Sequence, residues 1–183
     1  MQHFSDTFML APEPQQQTQQ LIERDDEFTH LRRHSIGCLF SQRTLTDRGA
    51  LARAIVSVPA QVTSKAHERQ LLEWCYAELF RPLYSGALPD FVVYFDMALW
   101  QRDSPLEREQ LCYHELCHLQ QRRDDYGAPK FEKSGRPAVH LVPHDVEVFH
   151  SELRRYGDVV PGFDDAAVAI ADGVKRQRRL RLA

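Results

Sequence analysis

One stretch decides the fold of this 183-residue chain: Ser104-Pro105-Leu106-Glu107-Arg108-Glu109-Gln110-Leu111-Cys112-Tyr113-His114-Glu115-Leu116-Cys117-His118. Ser104 and Glu107 have the spacing of a helical capping box, and Pro105 stands at the first helical position, where proline is favoured. The pattern predicts a helix that begins after Ser104 and continues to about Arg123. An apolar stripe on this helix would dock it on a sheet.

The same helix carries the motif H-E-x-x-H. His114 and His118 lie one turn apart, about 40° from each other around the helix axis, so both imidazoles can bind one metal ion. Glu115 lies about 100° from His114, where its carboxylate can contact water rather than the ion. Two ligands and a general base held in this way are typical of zinc hydrolases. The chain has 9 histidines, and a chance occurrence of the motif has a probability of about 3%. The alternative interpretation is a solvated helix face.

A catalytic zinc site also needs a third protein ligand and one open position. The candidates follow Pro143, at the start of a further predicted helix. His144 lies at the helix entrance, Asp145 leans toward the core side, and Glu147 points nearly away from it. Periodicity therefore leaves His144 and Asp145 as competing ligands, with Glu147 behind them. Two neighbouring histidines are interpreted as ordinary polar residues: His140 and His150.

The remaining patterns predict an α+β fold. Short apolar stretches rich in β-branched and aromatic residues are expected to form strands at Ser35–Phe40, Ala54–Val58 and Asp90–Asp96. The polar turn Thr44–Gly49 indicates a hairpin between the first two strands. Other expected elements are a helix over Ser64–Phe80, a loop over Asp124–Pro137, a short strand at Ala138–Val142, a helix that ends at Gly157 and a short helix over Asp164–Val174.

Composition predicts three regions along the chain. Residues 1–30 are expected to be a disordered, Gln/Pro-rich lead-in, because residues 12–20 are polar and of low complexity. Residues 31–158 are expected to form the globular domain. Residues 159–183 are expected to be an extension with a basic tail.

Charge and hydropathy exclude some classes of protein. The formal net charge is -3, which argues against a protein that coats nucleic acid with its whole surface. Mean hydropathy is -0.49, and no apolar run approaches the roughly 20 residues of a membrane-spanning helix. Cys38, Cys75, Cys112 and Cys117 form no C-x-x-C pair, and the N-terminus lacks the features of a signal peptide. These observations predict a cytoplasmic protein whose cysteines are buried, structural thiols.

The C-terminal tail concentrates positive charge that could contact phosphates. Its cations are Lys175, Arg176, Arg178, Arg179 and Arg181. No aromatic residues alternate with them, so a solvated terminus is the favoured interpretation, with weak contact to nucleic acid as the alternative.

Several of these features together resemble the phage metallopeptidase family: the Phe91–Phe95 strand, the H-E-x-x-H helix, Pro143-His144-Asp145-Val146-Glu147 and Tyr156-Gly157. The resemblance covers about residues 34–157. A more distant similarity is to SprT-like zincins, which include Spartan-type proteases that act on proteins crosslinked to DNA. Their pattern continues with a histidine, a glycine and a glutamate. His144 and Glu147 fit that spacing, whereas Asp145 stands at the glycine position.

The resemblance implies a minimal zincin-like metallopeptidase fold, in which a small mixed or antiparallel sheet packs on the H-E-x-x-H helix, with one helix before it and one after. It implies Zn²⁺ held by His114, His118 and His144, the last in preference to Asp145 or Glu147. It implies that Glu115 is the general base for hydrolysis of a peptide bond by metal-activated water, with proteins or peptides as substrates.

Two further expectations concern the surroundings of the site. If the Phe91–Phe95 strand lies at the sheet edge, it can pair with an extended substrate. The alternative function is a non-catalytic or DNA-associated zincin domain with a structural metal, in which the basic tail binds nucleic acid. A fourth protein ligand, such as Asp145 or Cys117, would favour that alternative.

Overall fold

The computed structural model describes residues 7–47, 50–59, 66–85, 87–144 and 163–181. Two units are distinguished, Met1–Val142 and Pro143–Ala183. The elements of the first unit are β1 (Phe8–Leu10), α1 (Pro12–Arg24), a 3-10 helix (Asp26–Leu31), β2 (Ile36–Ser41), β3 (Leu45–Asp47), β4 (Ala50–Ala52), β5 (Ala54–Ser57), α2 (Ala66–Tyr84), β6 (Phe91–Asp96), α3 (Met97–Arg102), α4 (Pro105–Cys117), β7 (Leu119–Gln121) and β8 (Val139–Leu141). The second unit contains α5 (Phe163–Arg181).

A mixed four-stranded sheet organises the first unit. Its strand order is β1-β2-β6-β5. β6 pairs in parallel with β2 and antiparallel with β5, and β1 is antiparallel to β2. All six residues of β6 are buried, as expected of a central strand made of aromatic and β-branched residues. The condition that the Phe91–Phe95 strand be the sheet edge is therefore not met, because β5 takes that place.

Alternation along β6 gives the sheet two buried faces. Phe91, Val93 and Phe95 pack with residues of α1, the 3-10 helix and α4. Val92 and Tyr94 point to the opposite face, where they meet side chains of α2. On that second face the hydroxyl groups of Tyr76 and Tyr94 are hydrogen-bonded to each other. The architecture is thus a mixed α and β fold with helices on both sides of a small sheet.

The expectation of a disordered N-terminal lead-in is wrong for the segment that forms α1. Pro14, Thr18, Leu21 and Ile22 are buried on one side of this helix. The amide of Gln15 donates to the carbonyl of Ile36 over 2.8 Å and accepts from the Cys38 N–H over 2.9 Å. Composition wrongly indicated disorder here, because a helix with a single buried face needs few apolar residues. A glutamine of this helix also bonds to the sheet.

The H-E-x-x-H helix begins where expected but ends early. Both hydrogen bonds of the Ser104–Glu107 capping box are present. The helix ends at Cys117, so the prediction that it continues to Arg123 is wrong. The chain turns at once into β7, which pairs with β8 in an antiparallel two-stranded sheet. Pairing with a strand 20 residues further along outweighs local helix propensity here.

The strands expected near residues 35, 54 and 90 are confirmed as β2, β5 and β6, and the helix expected from Ser64 is confirmed as α2. The hairpin between the first two strands is wrong, because β6 lies between β2 and β5 in the sheet. The polar turn instead belongs to a small hairpin of β3 and β4.

Of the second unit, the structure describes Pro143, His144 and α5. α5 extends further than the short helix expected over Asp164–Val174 and includes the basic tail to Arg181. The helix expected to end at Gly157 and the boundary expected at residue 158 lie outside the described residues. No described helix is both long and apolar enough to cross a membrane.

Candidate metal centre

The last turn of α4 presents two imidazole rings side by side. The ring centroids of His114 and His118 are 5.1 Å apart, and the ring planes are at 86° to each other. On the inward side of the same helix Leu111, Cys112 and Leu116 are buried in the core. Packing of that side against the sheet fixes the direction in which the two histidines project.

His118 is oriented by backbone groups of Val142, the residue that follows β8. Its ring Nδ1 lies 2.7 Å from the Val142 carbonyl oxygen, and the Val142 N–H donates to the His118 carbonyl over 2.9 Å. A carbonyl oxygen can only accept, so Nδ1 carries the proton and donates. A histidine whose Nδ1 donates to a backbone carbonyl in this way typically binds a metal ion through Nε2.

The third histidine, His144, lies close to the first two because it follows the residue that is bonded to His118. His144 follows Val142 by two residues, a span of at most about 7 Å. One ring nitrogen from each of His114, His118 and His144 lies within 4.8 Å of the other two. Nitrogen ligands of a tetrahedral zinc ion lie about 3.3 Å apart, so small side-chain movements close the cluster on an ion. Three imidazoles are also a donor set that zinc accepts.

Glu115 lies under the edge strand β5. Only 4% of the residue is exposed, and this burial raises the pKa of its carboxyl group to about 7, while a hydrogen bond with the Val56 backbone lowers it in part. Alternate residues of an edge strand direct their backbone groups away from the sheet. The Val56 N–H is directed outward in this way and meets the Glu115 carboxylate.

The segment between the second and third histidines forms a compact projection, here called the ribbon arm (residues 119–141). It starts with β7, ends with β8 and contains two turns, in which Gly127 and Gly135 have φ values of 80° and 74°. The described segment Asp124–Pro137, which was expected to be a loop, contains no helix or strand and takes part only in isolated β-bridges. His140 bonds through Nδ1 to the Gln120 carbonyl within this arm.

Polar contacts attach the ribbon arm to the body of the first unit. Arg136 donates through Nη1 to both oxygens of Asp90, over 2.9 and 3.0 Å. His34 and His30 bond through Nε2 to the carbonyl groups of Pro137 and Leu119. The base of the arm is therefore held at its first residue and again near its return strand.

The structure brings together His114, His118 and His144, and it places Glu115 beside the edge strand. Asp145, Glu147, His150 and Tyr156 lie outside the described residues. Cys117 is half-buried. Sequence reasoning missed the contributions of Val56 and Val142, because backbone donors and acceptors carry no signature in the residue type.

Comparisons with known proteins add one finding. The family model described as "Putative phage metallopeptidase" matches residues 6–175. No curated protein and no solved structure matches the chain significantly.

Proposed function

The chain belongs to the phage metallopeptidase family, and from this premise we propose that it is a zinc-dependent peptidase of the H-E-x-x-H class. His114, His118 and His144 hold the metal. Glu115 is the general base. The observation that carries the proposal is the convergence of three imidazole nitrogens within 4.8 Å of one another.

When bound, zinc supplies a Lewis acid that lowers the pKa of water to about 7 and polarises the scissile carbonyl. Glu115 takes a proton from the attacking water and delivers it to the leaving amine. A carboxyl group whose pKa burial raises to about 7 is suited to both steps near neutral pH. The Val56 N–H binds the carboxylate and thereby limits its rotation.

The substrate backbone binds along the outer edge of β5. This strand ends the sheet, so the outward backbone groups that Glu115 does not occupy can pair with an extended peptide. Glu115 is hydrogen-bonded to the same edge, which brings the general base next to a peptide bound there. A small mixed sheet whose edge strand lies over the H-E-x-x-H helix supports the zincin-like arrangement.

The test combines metal analysis with a conservative substitution. We expect the purified protein to bind about one zinc ion per chain and to hydrolyse an unstructured protein such as casein. Glu115→Gln should keep the zinc and lose activity by at least about 100-fold, the usual contribution of a general base. Glu109→Gln, on the same helix at a half-buried carboxylate that pairs with Arg24, is the matched control and should keep activity within about twofold.

Absence of stoichiometric zinc would contradict the proposal. So would equal activity in Glu115→Gln and Glu109→Gln. If the protein binds zinc tightly but hydrolyses no protein substrate, the non-catalytic alternative is the better description.

A further inference from the structure

We propose that the ribbon arm is an exosite that selects polypeptide substrates carrying clusters of acidic residues. The proposal rests on the peptidase function, because the bound polypeptide is a substrate only if the chain is a peptidase. The recognition itself depends on charges and aromatic side chains of the arm, and binding can be measured without turnover.

The arm carries cations that its own carboxylates do not neutralise. Within the described part of the chain, Arg122, Arg123, Lys130 and Lys133 are exposed and form no ion pair. The carboxylate of Glu132 is engaged by Arg136 at 3.0 Å. Four positive charges therefore face solvent on a projection of a chain whose net charge is -3, and they are suited to bind carboxylates.

Asp124, another carboxylate of the arm, is used to hold the first turn. Its Oδ1 accepts from the backbone N–H groups of Tyr126 and Ala128, both over 2.9 Å. Arg123 donates to the Gly127 carbonyl across the same turn over 2.8 Å. These bonds preorganise the turn, so little entropy is lost when a partner binds to it.

Two aromatic side chains project from the arm between its cations. Tyr126 is 97% exposed at the first turn, and Phe131 is 59% exposed. Aromatic residues and arginine are enriched in protein interfaces, where they supply apolar contact area. The arm thus combines apolar contact with positive charge.

The arm is close enough to the metal ligands to contact the same substrate. It begins one residue after His118 and ends three residues before His144. From Leu119 to Tyr126 it can extend at most about 23 Å, the length of about seven residues of an extended peptide. An acidic cluster within about seven residues of the scissile bond could therefore bind to the arm.

The observations favour an acidic polypeptide over nucleic acid. The arm has five cations and three carboxylates, a net charge of only +2, whereas nucleic-acid-binding surfaces are usually strongly basic. Asp125 stands exposed next to Tyr126, where it would repel a phosphate backbone. Carboxylates spaced along a flexible polypeptide can avoid Asp125 and still contact the four cations.

The test measures binding to the full-length Glu115→Gln protein by fluorescence anisotropy. The probes are two labelled 20-residue peptides of equal length, one with six glutamates and one with glutamines at the same positions. We expect the acidic peptide to bind at least about 10-fold more tightly at 50 mM salt, and the difference to fall below about threefold at 300 mM salt, because salt screens exposed charges.

Two charge-matched variants locate the site. Lys130→Gln/Lys133→Gln should weaken binding of the acidic peptide about fivefold or more, because it removes two of the four cations. Arg43→Gln/Arg102→Gln, which removes two exposed cations elsewhere, should change it less than about twofold. Tyr126→Ala should weaken both peptides alike, since it removes apolar contact and no charge.

The proposal is overturned if the two peptides bind equally, or if both double variants weaken binding to the same extent. It is also overturned if an oligo-dT of the same charge binds more tightly than the acidic peptide. Failure of the peptidase proposal is distinguishable, because it would show as missing zinc or missing hydrolysis while charge-selective binding persists.

Discussion

At the scale of single residues, the candidate metal centre depends on backbone groups that neighbouring strands supply. The Val142 carbonyl fixes the tautomer of His118, and the Val56 N–H holds Glu115. Spacing within one helix predicted His114, Glu115 and His118, because helix geometry is local, whereas His144 was preferred over Asp145 only through the family resemblance. The sequence could not predict the two valines, whose role depends on strand positions and not on their side chains.

His118 should be necessary for metal binding in a way that His140 is not. We expect His118→Ala to lower the zinc affinity by at least about 100-fold, because it removes one of the three proposed ligands. His140→Ala removes only a bond to the Gln120 carbonyl and should leave the affinity within about threefold. Competition with a chromophoric chelator measures both, and equal losses would contradict the ligand assignment.

Gly37 is required by the close approach of Phe80 to the sheet. A Cβ at position 37 would overlap with ring carbons of Phe80. We expect Gly37→Ala to lower the free energy of unfolding by about 1–3 kcal/mol, the usual cost of overpacking. Gly173→Ala is the control, because a Cβ there meets nothing within 4 Å. A Gly37→Ala protein as stable as the wild type would contradict the close packing.

At the scale of secondary structure, the two ends of α4 show what local sequence can and cannot predict. The capping box at Ser104 is a local pattern, and the helix starts there as expected. The end at Cys117 is set by the pairing of β7 with β8, a contact between distant residues. The same reason explains α1, which is a helix because it covers the sheet and not because of its composition.

The start of α4 can be tested through its cap. Ser104→Ala removes the side-chain bond to the Glu107 N–H and should lower the free energy of unfolding by about 1 kcal/mol. Ser104→Thr keeps a hydroxyl group and should lose less than half of that amount. Urea denaturation with a common m-value measures the difference. Equal stability of the alanine variant and the wild type would show that the cap contributes nothing.

At the scale of the whole first unit, Asp90 links the start of β6, the start of β2 and the ribbon arm. It accepts hydrogen bonds from Ser35 and pairs with Arg136. Strand order could not be predicted from the sequence, because β2 and β6 are separated by α2 and their parallel pairing depends on long-range contacts. For this reason no sequence motif could indicate that Asp90 links these three segments.

The free energy of unfolding should depend on pH through the ionisation of the Asp90 carboxyl group. Burial alone would raise the pKa of its carboxyl group, but the bonds from Ser35 and the charge of Arg136 outweigh burial and lower the pKa below its ordinary value. The folded state then binds the proton less tightly than the unfolded state does. The resulting stabilisation is fully present above the unfolded pKa of about 4 and is lost as pH falls through the lowered folded pKa.

Asp90→Asn isolates this dependence. We expect the variant to be less stable than the wild type by about 2 kcal/mol at pH 7, because it loses a charge-assisted bond to Arg136. The difference should shrink as the pH falls below 4. Asp125→Asn, at an exposed carboxylate, should show no comparable difference at any pH. Urea titrations at pH 3, 4, 5 and 7 test this, and a pH-independent difference would contradict it.

The bond between Glu115 and the outer edge of β5 also bears on how the protein avoids self-association. An uncovered strand edge is a template for pairing with another chain and promotes aggregation. β5 has only four residues, and Glu115 occupies one of its outward donors. Glu115→Ala would free that donor and should raise the proportion of dimers and larger species in sedimentation velocity. Glu115→Gln retains an oxygen that can accept from Val56, so this variant should stay monodisperse.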